Sequence, residues 1–131
     1  MSYSNPVFLP LAFGSHDFGA GGEAFTFRGP AGKQGTLKDI EINATEVFSK
    51  TTLEGKIDLG SSATGTQYAT FGLWSTADGA TARLTDAVGT STRTLTESAL
   101  PADTDIHVTY SAPTGGTPTG IAYVEVMVEW Y

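Results

Sequence analysis

Two histidines, His16 and His107, are the only imidazoles in the chain, and cysteine is absent. Without thiolates there is no disulfide staple, no thiolate metal site and no cysteine nucleophile. His16 stands beside Asp17 in the Gly-rich stretch GSHDFGAGG. A carboxylate brought in by folding would give it a partner for metal or acid-base work. No second histidine stands at ligand spacing, however, so a loop-capping or solvent-facing histidine is the simpler reading. His107, within IHVTY, has the parity opposite to Ile106 and Val108, which places it on the outer face of a strand.

The carboxylates carry little more chemistry. Asp103 and Asp105 flank Thr104 and, with Asp86 or Glu97, offer oxygens to a calcium ion, but the rest of an EF-hand ligand pattern is missing, and turn carboxylates are favoured. Asp39, Asp58 and Asp78 are scattered, so a glycosidase pair would have to come from tertiary proximity. The GPAGKQG stretch holds Lys33 among glycines yet does not match a phosphate loop, and reads as a turn. No G-x-S-x-G elbow presents a serine. Trp74, Trp130 and the tyrosines have the residue types of a sugar-stacking platform, but serve equally as core or interface anchors, the reading preferred here. The expectation is a chain without catalytic residues, metal or cofactor.

The elements that would position these residues are β-strands. Thr (20 residues), Ser (10), Gly (16) and Pro (6) dominate, a composition suited to half-exposed strands and turns rather than helices. With 131 residues, of which 40% are hydrophobic, the chain has material for one core and no room for a second domain. Lys and Arg number 7 against 14 Asp and Glu, for a net charge of −7, and no two basic residues are adjacent, which disfavours nucleic-acid binding. No apolar run reaches the length of a membrane helix, and MSYSNPVFLPLAFG lacks the basic leader of a signal peptide, so a soluble, unexported chain is expected.

Along the chain, Val7 to Phe13 form an apolar cluster broken by Pro6 and Pro10, which predicts an extended N-terminal arm or an edge strand. Residues 1–22 are accordingly expected as arm and flexible loop, and 23–131 as a single sandwich domain. Phe25 and Phe27 alternate with Ala24 and Thr26. Ile40, Ile42 and Ala44 alternate with Asp39, Glu41, Asn43 and Thr45. Val47 and Phe48 depart from that period, as at a bulge or the start of a change of face. Leu53, Gly55, Ile57 and Leu59 are expected on one side, with Glu54, Lys56 and Asp58 on the other. YATFGLW gives a strand with both faces open to cover, and Ala82 to Val88 fits either a short helix or a strand. Thr90 to Thr96 reads as extended, and LTESALPADT as a helical turn ended by Pro101. Ile106, Val108 and Tyr110 mark a strand. In the clearest one, Val124, Val126, Val128 and Trp130 alternate with Tyr123, Glu125, Met127, Glu129 and Tyr131. Two packed antiparallel sheets are the simplest way to bury one face of each strand: an all-β antiparallel sandwich. Alternation does not order the strands, and both jelly-roll and immunoglobulin-like topologies satisfy it.

The run of signals from GKQGTLKDIEINATEVFSKTTLEGKIDLG through YATFGL and DTDIHVTYSAP to TPTGIAYVEVMVEWY resembles the small jelly-roll proteins that decorate or cement the capsids of tailed bacteriophages. The resemblance covers most of the chain and rests on architecture, with no active-site motif. It implies a jelly roll, a homotrimer on the outer capsid surface of a virion, and the major capsid protein as partner, with no nucleic acid and no membrane. Repetition over a shell multiplies a modest contact per copy. Phe8, Phe13, Trp130 and Tyr131 are the candidate interface anchors. A tail or baseplate accessory protein and a carbohydrate-binding module are the alternatives.

Overall fold

In the computed structural model, residues 7–49, 52–74, 76–86 and 91–131 are described, with side chains from residue 10 onward. Ten strands follow in order: β1 (Val7–Asp17), β2 (Glu23–Phe27), β3 (Gly35–Glu46), β4 (Lys56–Gly60), β5 (Ala69–Gly72), β6 (Thr81–Arg83), β7 (Arg93–Leu95), β8 (Ala99–Leu100), β9 (Ile106–Ser111) and β10 (Ile121–Trp130). They form two five-stranded antiparallel sheets packed as a sandwich. The first has the order β1-β10-β3-β6, with β8 also on β3, and the second has the order β2-β9-β4-β5-β7. The all-β sandwich expected from alternation is therefore the fold.

Alternation explains the core. Ile40, Ile42 and Ala44 of β3 and Val124, Val126, Val128 and Trp130 of β10 are buried against Ile57, Leu59, Phe71, Ile106 and Val108 of the second sheet. Leu37 has the parity opposite to Ile40, yet both are buried. The register supplies the reason: Leu37 pairs Val128 and Asp39 pairs Met127, so Lys38 is an extra residue that turns the strand over between them. A second irregularity, at Thr45, comes just before Phe48, which packs into the core. Both faces of Phe71 and its neighbours are covered, with Tyr68, Ala69, Gly72 and Leu73 all buried.

Four expectations need correction, the first of them in part. The N-terminal stretch is the edge strand, one of the two forms expected for it, and not an extended arm set apart from the sandwich. From Val7 to Asp17 it is β1, the edge strand of the first sheet, paired with β10 throughout, so residues 7–22 belong to the same sandwich as 23–131. Pro10 is tolerated there because an edge strand has a side on which a donor is not required. The GSHDFGAGG stretch is no flexible loop either. Gly14 to Asp17 continue β1 past an irregularity at Phe13, with Gly14 at φ 80°, and Phe18 is fully buried with its N–H donating to the Gly120 carbonyl at 2.7 Å. LTESALPADT forms β8, not a helical turn: Leu37 N–H donates to the Ser98 carbonyl, and Leu100 fills the core. Finally, Leu53 is 56% exposed and Glu54 only 6% exposed, the reverse of the expected alternation. The ladder starts only at Lys56; before it, Leu53 forms an isolated bridge with Thr114, and Glu54 is held by the backbone N–H groups of Trp74 and Thr92. The ambiguous stretch from Ala82 to Val88 holds the end of β6 and buried Leu84, with Ala87 and Val88 outside the described residues.

Candidate functional site

The two histidines lie far apart in role. His16 caps the turn that leaves β1: its Nε2 lies 2.9 Å from the Gly21 carbonyl and its Nδ1 lies 3.2 Å from the Glu23 carboxylate. The ring stacks edge-on against Phe18 at 4.7 Å and lies 5.0 Å from Tyr110. His107 is half-buried on the outer face of β9, where it pairs Thr26 and Gly60. Among the described residues no three metal-ligating side chains converge.

The carboxylates hold loops. Asp103 accepts from the Gly32 N–H at 2.9 Å and Asp105 pairs with Arg28, so both tie residues 101–105 to the GPAGKQG turn rather than face one another as calcium ligands. That turn closes with Lys33 N–H donating to the Pro30 carbonyl, with Gly32 at φ 72°. The Arg28 guanidinium holds the Asp105 carboxyl below its usual range, by hydrogen bond and by charge. Asp86 accepts from Arg83 N–H, Glu97 from Ala99 N–H, and Asp39 from both the backbone and the hydroxyl of Thr85. Asp58 sits mid-sheet between Thr109 and Thr70; burial raises its pKa, while the Thr70 hydroxyl and Lys56 pull it down.

The tryptophans and Tyr123 do not share one face, so the sugar-stacking alternative finds no platform among them. Trp130 faces inward at 1% exposure, while Tyr123 of the same strand faces outward at 54%. The indole of Trp130 fills space left by Gly29 and Gly35, where a Cβ would come within 2.3 and 2.6 Å of the ring. Trp74 is half-buried.

The four candidate anchors are divided in the same way. Trp130 is core. Tyr131 is exposed and follows β10, its backbone paired in both directions with Gln34. Phe13 is half-buried at the β1 edge, 5.0 Å from Phe25 and 5.6 Å from Phe27. Phe8 lies in β1 opposite Glu129, and its side chain is outside the described residues. Phe13 thus stacks the edge strand of one sheet on the edge strand of the other, and Leu11, Phe25 and Phe27 complete a partly open apolar seam between β1 and β2.

On the opposite flank, sequence reasoning missed a polar cluster. The buried Glu54 carboxylate accepts from Thr92 N–H at 2.9 Å and from Trp74 N–H at 3.3 Å, wedged against Gly72. Arg93 lies over the Phe71 ring at 4.9 Å and donates to the carbonyls of Gly72 and Arg83, which joins β7 of the second sheet to β6 of the first. Burial lowers the pKa of Arg93, with Asp86 and Glu54 opposing. No sequence signal marks this cluster, because its partners are backbone groups distant in the chain.

No protein-family model, curated protein or solved structure matches the chain.

Proposed function

We propose that the protein is a non-enzymatic virion structural protein of a tailed bacteriophage. In this reading it decorates the outer capsid surface as a trimer and cements neighbouring copies of the major capsid protein. The observation that carries the reading is the nested strand order. The first strand lies beside the last, the second beside the next to last, and the chain passes between the sheets at nearly every connection. That order supports a jelly roll, the architecture on which the resemblance to capsid decoration proteins rests. The engagement of Asp103, Asp105, Asp86, Glu97 and His16 in tying loops together also favours a binding scaffold over a reaction centre.

The test is co-sedimentation with purified expanded capsids, reading the mass bound per shell. Saturable uptake at a symmetry-related number of copies is the expected result. Absence of uptake overturns the capsid reading; retention on purified tails would then point to a tail accessory protein, and saturable glycan binding to a lectin-like module.

A further inference from the structure

His16 lies opposite buried Ala122 of β10, which turns its ring inward, between the two sheets, where it is half-buried. Both ring nitrogens meet an oxygen there. Nε2 lies 2.9 Å from the Gly21 carbonyl, and Nδ1 lies 3.2 Å from the carboxylate of Glu23, the first residue of β2 in the other sheet. Neither oxygen carries a hydrogen while Glu23 is ionised, so both contacts are hydrogen bonds only if both nitrogens donate. A neutral imidazole has one N–H and leaves the lone pair of its other nitrogen facing an oxygen; the imidazolium has two. The backbone of the turn has little room to relieve that mismatch. A Cβ on Gly19 would come within 2.7 Å of the Pro118 carbonyl oxygen, and one on Gly22 within 2.4 Å of the Tyr110 carbonyl oxygen, so the turn is wedged between two other stretches of chain. Phe18, just before them, is fully buried and bonded to Gly120. Relief must come from the side chains: the ring turning toward solvent, or the exposed Glu23 moving away.

We propose that His16 is a pH-sensitive latch between the sheets: as the imidazolium it ties the end of β1 to the start of β2, and as the neutral ring it releases one of its two contacts. The groups around the ring leave that role to His16 and Glu23. Glu23 is the one charged residue of β2. From β9, Tyr110 lies 5.0 Å away, and burial holds its phenol protonated well above the ordinary range, while His107 is on the outer face. β10 presents uncharged Ala122. On β1 itself, the Asp17 carboxylate turns back to accept from Ala20 N–H at 3.2 Å, and Glu46, at the end of β3, accepts from Gly120 N–H at 2.9 Å. The number of N–H donors decides the state, because an ion pair with an exposed carboxylate adds little through charge alone. The latch therefore holds on the acid side and loosens as pH rises, which closes or frees the turn at one end of the Leu11, Phe13, Phe25 and Phe27 seam. The proposal concerns the free protein and is independent of the capsid reading.

The experiment is amide hydrogen exchange of the full-length chain at about pH 5.5 and about pH 8, which bracket the ordinary range of imidazole. Rates are corrected for the intrinsic pH dependence of exchange, and nitrogen NMR reads the two ring nitrogens of His16 at each pH. Two ring N–H groups are expected at the acid end and one at the alkaline end, with protection of residues 18–23 about threefold lower there, the size of one lost hydrogen bond. Glu23→Gln is the discriminating variant. Its amide donates to Nδ1 while Nε2–H donates to the Gly21 carbonyl, so a neutral ring serves both contacts and protection should become equal at the two pH values. The substitution changes one exposed side chain and leaves the core intact. Equal protection of the wild-type turn at both pH values overturns the proposal, as does a Glu23→Gln variant that keeps the wild-type pH dependence. A His16 ring that carries a single N–H at the acid end overturns it as well.

Discussion

The two flanks of the sandwich solve the same problem with opposite chemistry. Where β1 and β2 lie over one another, the gap between the sheets is filled by Leu11, Phe13, Phe25 and Phe27, and His16 fixes the turn at one end. Where β6 and β7 meet, a buried carboxylate and a half-buried guanidinium take backbone partners from both sides of the gap. The apolar flank is continuous with the core and tolerates solvent at its margin, because a half-exposed ring loses only part of its burial. The polar flank has no such margin. Each buried donor or acceptor there must keep its partner, since an orphaned one costs its full desolvation. Edge strands of 3 residues make few ladder bonds of their own, and on that side the charged cluster adds hydrogen bonds to them.

Substitutions on the two flanks test this difference, and the largest effect is expected at Glu54. Glu54→Ala leaves the Thr92 and Trp74 N–H groups without their acceptor, and urea unfolding should register a loss of about 2–4 kcal/mol. Gly72→Ala should act on the same cluster, because a Cβ at that position would come within 2.2 Å of the Glu54 carboxylate. On the other flank, Phe13→Ala removes a ring that is only half-buried, and a smaller loss of about 1–3 kcal/mol is expected by the same measurement. If Phe13→Ala proves the costlier of the two, the contrast between the flanks is wrong.

The pH dependence sharpens the comparison from the aromatic side. Burial, with Glu23 adding to it, pushes the Tyr110 phenol well above its ordinary range. The folded state therefore holds its proton while the unfolded chain releases it above about pH 10. Stability should be full below that pH and fall as pH rises beyond it, with the Tyr110 share of the tyrosinate absorbance appearing together with unfolding. Tyr110→Phe should remove this part of the alkaline transition. The smallest effect belongs to the exposed Arg28–Asp105 pair. Asp105 is held below its usual range, so what it contributes is present above its unfolded pKa and is lost as pH falls through the folded one. Arg28→Ala should lower the neutral plateau slightly and leave stability unchanged at pH below the folded pKa of Asp105, where the contribution is already lost.

How far the sequence could be read depended on the range of the interaction. The strands of β3, β9 and β10 are legible because burial repeats every second residue: Ile40, Ile42 and Ala44, Ile106, Val108 and Tyr110, and Val124 to Trp130 are all buried as alternation requires. Reading failed where a residue is oriented by something other than its own strand. Leu53 and Glu54 reversed their expected sides because Glu54 answers to backbone donors 20 and 38 residues further along the chain. LTESALPADT has some helix-compatible residues, but Leu100 belongs to a core assembled by β3. Trp130 was a candidate anchor by type although its parity with Val124, Val126 and Val128 put it on the core face, and Gly29 and Gly35 are what leave room there for its ring.

The sequence by itself determined the class of the molecule: strands rather than helices, one core, a strongly acidic surface and an apolar N-terminal stretch broken by Pro10. These properties are local or additive, set by composition and by the two-residue period of a strand. Only the tertiary structure decided that β1 is an edge beside β10, that Phe13 closes a seam against Phe25 and Phe27, and that Glu54 and Arg93 bridge the far flank. Each of those outcomes depends on which strands become neighbours. Strand neighbours are chosen by global packing of two faces at once, and no local period records that choice.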